Sequence, residues 1–209
     1  MKFLTTSKRN GICLLILVIL YVSGCGISLA PEIPVAPEIP VLTPEEIALL
    51  KEHSYGGGNY VIRWPDDSII EVYDETNFPQ LQYVFDEWNQ VLDGKAVLVI
   101  TNDSSKAKVK IVFKDLEGIV GFAAVGMTGK MIENELITFL SDGIVEIDKN
   151  GGFNVPIYLH EFGHILGCLR HFEDEETIMA EVPLVRHIDE QTKNFFLLLY
   201  SLPAGYRLL

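Results

Sequence analysis

With 16 Lys+Arg against 29 Asp+Glu, this chain of 209 residues carries a formal charge of −13. That acidity argues against a nucleic-acid binder, because neutralising phosphates supplies most of the affinity of such proteins. Once its front end is removed, the length suits one domain of ordinary size.

The front end is a targeting segment. Lys2, Lys8 and Arg9 precede the apolar run from Ile12 to Val22, which is short for a membrane span and reads as a secretory signal over residues 1–24. It closes on Val22-Ser23-Gly24-Cys25, which resembles the lipobox of bacterial lipoproteins. The resemblance implies a lipidated Cys25 as the new N-terminus, held on the extracytoplasmic side of a cell-envelope membrane. Each buried CH₂ of its acyl chains would contribute about 0.8 kcal/mol, so the lipid bilayer is an expected partner. Gly26 in place of aspartate suits outer-membrane sorting in an organism that has such a membrane. Cleavage would remove three cations and no acid, leaving 13 Lys+Arg against 29 Asp+Glu and a charge of −16. Of the three cysteines only Cys168 then remains as a thiol, read as a packed side chain, and no intrachain disulfide is available.

Residues 25–42 hold the lipidated cysteine and a tether. Ala30-Pro31-Glu32-Ile33-Pro34-Val35 is nearly repeated by Ala36-Pro37-Glu38-Ile39-Pro40-Val41, and prolines this dense favour extended polyproline geometry over a packed core. Residues 43–209 form the expected folded domain, with its core from about 59. Thr43-Pro44-Glu45-Glu46 starts a helix that runs to about His53, with a threonine cap, a proline in the first turn and a glutamate closing a capping box. Gly56-Gly57-Gly58 is expected to separate this helix from the body, with His53 at the surface.

Tyr60–Trp64 and Ser68–Tyr73 read as a strand pair around Pro65-Asp66-Asp67. Phe78–Leu92 has the helical period in Leu81, Val84, Phe85, Trp88, Val91 and Leu92, and stops near Asp93-Gly94. Strands follow at Ala96–Ile100, Lys108–Phe113, Gly121–Gly126, Ile137–Leu140 and Ile144–Ile147. A helix from about Phe153 to Leu166, with Pro156 in its first turn, and a last helix over Ile188–Leu202 complete an α+β chain.

The chemistry lies in His160-Glu161-Phe162-Gly163-His164-Ile165-Leu166-Gly167-Cys168-Leu169-Arg170-His171. Residues four apart share a helix face, so His160 and His164 can aim nitrogens at one metal ion. Continuing the helix would carry His171 about 10 Å beyond His164, at about 1.5 Å rise per residue. The chain must therefore stop and turn, and Gly167, with no Cβ, stands where the turn is needed. Three imidazoles leave a fourth zinc position open for water, and Glu161, beside the first ligand, is placed to take that water's proton. The expected reaction class is hydrolysis.

This pattern resembles the HExxHxxGxxH signature of the metzincin metallopeptidases. Met179, eight residues past His171, resembles the methionine of their Met-turn at the interval of the matrixin branch. The resemblance implies a metzincin-like catalytic domain holding one zinc on His160, His164 and His171, with Glu161 as general base and Met179 as the floor of the site. A second, structural zinc is not expected, because only His53 and His187 are spare. By position, Phe122, Ala123, Ala124 and Val125 would be the edge strand that pairs with an extended substrate backbone, which implies a protein or peptide substrate. A monomer is expected. Pro183 stands four residues past Met179 rather than two, a departure from the family that bears on the pocket wall. Glu173-Asp174-Glu175-Glu176 places four carboxylates near the metal and would disfavour acidic substrate residues beside the cut. The competing class is a membrane-anchored binding lipoprotein whose site binds zinc without hydrolysis.

Overall fold

A computed structural model describes residues 39–209, except Gly57, Glu133 and Gly152. The expected signal, the lipidation site Cys25 and most of the tether fall outside these residues. No described helix is long and apolar enough to cross a membrane.

Helix α1 (Pro44–His53) opens with the expected capping box: Glu46 N donates to Thr43 Oγ1 at 3.2 Å and Thr43 N to Glu46 Oε2 at 2.7 Å. The helix does not stand apart from the body. Leu50 and His53 are buried, and Leu42 packs on the core. Gly56, at φ 114°, turns the chain so tightly that a Cβ would collide with the Tyr60 carbonyl oxygen. His53, expected at the surface, lies edge-on to Phe172 with ring centroids 4.8 Å apart. Its Nδ1 has no hydrogen-bond partner among the described residues.

Five strands form one sheet: β1 (Ser68–Asp74), β2 (Ala96–Ile100), β3 (Val109–Lys114), β4 (Gly121–Ile132) and β5 (Glu135–Asp148). Their spatial order is β2-β1-β3-β5-β4, with every pair parallel except the antiparallel β4 and β5. With α2 (Leu81–Leu92), α3 (Val155–Leu166) and α4 (Glu190–Ser201), the described chain is a mixed α/β structure of a mostly parallel sheet and four helices, compatible with α+β. Helix α2 bridges β1 and β2, the kind of crossover that a parallel pair needs. It ends where Asp93 and Gly94 both take positive φ.

Two expectations about strands do not hold. Tyr60–Trp64 does not pair with β1, both of whose edges are taken by β2 and β3. Its backbone bonds instead to the C-terminal segment, through Val61 N to Tyr206 O at 2.8 Å and Gly205 N to Val61 O at 2.7 Å. Buried Arg63 secures this arrangement by donating to Leu202 O from Nε (2.8 Å) and Nη2 (2.6 Å). The segments around Ile137 and Ile144 are also not separate strands. They join across Ser141-Asp142-Gly143 into the single long β5, with Ser141 left as a bulge where Gly126 pairs with Asp142 and Met127 with Leu140. Gly143 is there for room, because a Cβ would press on Ile165 and the Ala124 carbonyl.

Helix α3 lies in the middle of the core, with every residue but His164 buried. A buried helix must place its polar backbone ends on protein partners. Trp64 Nε1 donates to Ile165 O at 2.8 Å and Tyr200 Oη to Leu166 O at 3.0 Å. Trp88 Nε1 from α2 donates to Leu159 O at 3.1 Å, and Phe85 meets Phe162 edge-to-face at 5.1 Å. These contacts fix both the rotation and the axial position of the helix that carries His160, Glu161 and His164.

Candidate metal centre

His160, His164 and His171 lie close enough together to hold a metal ion: one ring nitrogen from each falls within 4.8 Å of the others. His160 Nε2 is 3.1 Å from His164 Nε2 and 3.3 Å from His171 Nε2. The other ring nitrogen of two of them is already committed. His160 Nδ1–H donates to Ile178 O and His164 Nδ1–H to Cys168 O, each at 2.7 Å. A carbonyl can only accept, so both rings carry their proton on Nδ1 and turn a bare Nε2 lone pair inward. Lone pairs facing each other at this distance repel unless a cation sits between them.

Each ring is positioned by a separate device. Helix α3 supplies the four-residue spacing. It stops at Gly167, whose φ of 129° an L side chain rarely adopts, and a Cβ there would press on Leu199. The chain then runs beside α1, where Leu169 N donates to His53 O at 2.6 Å and Ser54 bridges Cys168. This docking brings His171 back towards the helix. Cys168 is fully buried, with its thiol directed at Arg170 O and its pKa raised by burial; it is packed rather than ligating.

The turn bearing Met179 lies against α3. Phe172 N donates to Met179 O at 2.8 Å, and the Met179 side chain is so close to Gly163 that a Cβ there would collide with its sulfur. Asp189 supports this turn from α4: one carboxylate oxygen accepts from Ile178 N at 2.7 Å, and the other accepts from Thr192 N as the helix cap. Asp189 therefore also sets the Ile178 carbonyl that orients His160. The sequence reading missed Asp189 and Gly163. A glycine in mid-helix, which costs about 1 kcal/mol against alanine, was the available signal for Gly163.

Glu161 is buried beside Gly121 of β4, where a Cβ would press on its Oε1. The run expected to bind substrate, Phe122 to Val125, follows directly on Gly121. Phe122 and Ala123 line the cleft with the three histidines and Glu161, as do Gly118 to Gly121. Ala124 and Val125 lie further along β4, outside that lining. β4 is the edge of the sheet, so one side of its backbone has no strand partner among the described residues. Glu173, Asp174, Glu175 and Glu176 are all exposed, and Asp174 Oδ1 caps the turn by accepting from Glu176 N at 2.9 Å.

Burial shifts three groups here. It lowers His160 from 6.5 to about 3 and His164 to about 4, and raises Glu161 from 4.5 to about 8. For the two histidines the unfolded chain takes protons first, so their contribution to stability falls as pH drops below 6.5. For Glu161 the folded chain keeps a proton that the unfolded chain releases, so stability falls as pH rises from 4.5 through 8. Between 4.5 and 6.5 two groups oppose one. The stability contributed by these three groups in chelated protein therefore peaks near pH 6.5, which urea midpoints measured from pH 5 to 8 in the presence of chelator will check. A midpoint that climbs steadily from 6.5 to 8 contradicts the assignment.

No family model and no curated protein matches this chain.

Proposed function

We propose that the protein is a zinc-dependent endopeptidase of metzincin type, close to the matrixins, acting on protein or peptide substrates. The observation that carries the reading is the convergence of three imidazole nitrogens beside a buried glutamate in an open cleft. Zinc fits the donor set. Tetrahedral bonds of about 2.0–2.1 Å place ligand nitrogens about 3.3 Å apart, close to the 3.3 and 3.1 Å from His160 Nε2 to the Nε2 atoms of His171 and His164. Bound there, zinc would supply a Lewis acid that polarises a carbonyl and acidifies a water.

The chain's own residues do the rest. Glu161, which a cation on the histidines would hold ionised against the effect of burial, takes the proton of the attacking water and passes it to the leaving amine. The free edge of β4 offers backbone donors and acceptors to an extended peptide, which favours an amide-rich substrate over a small ester. Met179, packed under Gly163, keeps the helix and the turn in contact. Once the signal is cleaved, acyl chains on Cys25 would hold this domain at an envelope membrane as a lipoprotein.

The direct test is incubation of the soluble zinc-loaded domain with a peptide library, with and without chelator, read by mass spectrometry. Chelator-sensitive internal cuts are the expected result. Peptides retained intact would support the competing reading, a binding lipoprotein.

The acidic loop gives a finer expectation. Glu173 and Glu175 line a second cleft of about 470 Å³ that shares His171, Glu181 and Val182 with the metal cleft. Changing both to glutamine should reduce the preference for basic over acidic peptides several-fold, and an unchanged ratio removes the idea.

A further inference from the structure

Tyr55 stands in the cleft without a role in the mechanism above. It lines the same cavity of about 660 Å³ as His160, Glu161, His164 and His171. Its placement is fixed from both sides. The preceding residue, Ser54, bridges Cys168 in the loop between the second and third histidines, and Tyr55 itself bridges Ile62. The tight turn at Gly56 follows immediately, where there is no space for a Cβ. Backbone pairing therefore fixes where the side chain leaves the main chain, and the side chain also packs against the core. Its hydroxyl has no hydrogen-bond partner among the described residues, although the side chain is half-buried. Burial, with lesser effects from Cys168 and Glu161, raises it to about 12, so it is a phenol with a proton to donate at any ordinary pH.

We infer that Tyr55 is a further catalytic residue, whose hydroxyl donates a hydrogen bond to the peptide oxygen on which negative charge develops during attack. The inference rests on the hydrolytic reading above. In the step, the water oxygen bonds to the carbonyl carbon and the C=O π pair moves onto the oxygen. Tyr55 donates to that oxygen and keeps its proton. Glu161 accepts the water's proton and delivers it to nitrogen as the C–N bond breaks. A donor aimed at the oxyanion lowers the barrier because it binds the transition state better than the ground state.

The test compares Tyr55→Phe with the parent, which keeps the ring and loses only the hydroxyl. Loss of one such donor lowers kcat by about 10²-fold, and KM and zinc content should stay as in the parent. A second readout does not depend on turnover. By calorimetry, a peptide with a tetrahedral phosphinate at the scissile position should bind the variant at least about tenfold more weakly, and the cleavage products should bind equally well. If Tyr55→Phe cleaves as fast as a parent that is itself active, the inference is overturned and the peptidase reading survives. If the parent cleaves nothing when zinc-loaded, both fail. A variant with raised KM, unchanged kcat and unchanged phosphinate affinity would make Tyr55 a wall of the cleft, which also overturns the inference.

Discussion

Replacing Glu161 by glutamine should leave zinc binding intact and lower peptide cleavage by about 10³-fold, within the range that general-base removal costs. Glutamine has nearly the same shape and retains a hydrogen-bonding side chain, but it cannot accept the water's proton. The geometry allows the swap: Glu161 lies against Gly121, in a space that already fits a planar carboxyl group of the same outline as the amide. Stability should not suffer. Burial raises the carboxyl to about 8, so the metal-free fold strains against ionising it above neutral pH. Glutamine removes that cost, and the thermal midpoint of chelated Glu161→Gln at pH 8.5 should equal or exceed that of the parent. This separates a catalytic role from a structural one. Cleavage at the parental rate by zinc-loaded Glu161→Gln would end the proposed mechanism.

How much of this was legible depends on whether the signal was local. The capping box at Thr43, the apolar period of α2 and the glycine stop at Gly167 are each set within one turn of chain, and the structure places all three as read. The ligand cluster was legible for the same reason: a spacing of four is helix geometry, and the turn needs a residue that tolerates φ 129°. What could not be read depends on distant partners. Tyr60–Trp64 has strand composition, but its partner is the C-terminus about 140 residues away. Ser141-Asp142-Gly143 has turn composition, yet lies inside β5 because Gly143 pairs with Val109 of β3 and Val125 of β4, and Asp142 with Gly126. His53 looked like a surface residue beside a glycine run expected to separate α1 from the body, and Tyr55 carried no signal of its own. The docking of α1 onto the loop after Gly167 buries the first and puts the second in the cleft.

Zinc should raise the unfolding temperature of the domain strongly, and each ligand histidine should be needed for the full shift. A metal that binds only the folded state stabilises it by about 4.1 kcal/mol at a free concentration about 1,000 times its Kd. For a domain of this size that is about 8–16 °C. The gain is available because the fold has already paid to gather the rings: the Nδ1 protons are held by Ile178 O and Cys168 O, and the inward lone pairs repel until a cation arrives. Alanine at His160, His164 or His171 removes a direct ligand, so affinity should fall by more than the about 10–100-fold typical of outer-shell changes. At a zinc concentration that saturates the parent, the thermal shift should shrink accordingly. Two further histidines supply controls. His187→Ala, at an exposed position, should leave both the apo midpoint and the shift unchanged. His53→Ala should lower the apo midpoint, because it empties a place against Phe172 and Phe195, yet retain a zinc shift. If all three ligand variants kept the parental shift, the metal would be elsewhere, and the cleft would lose its claim to hydrolysis.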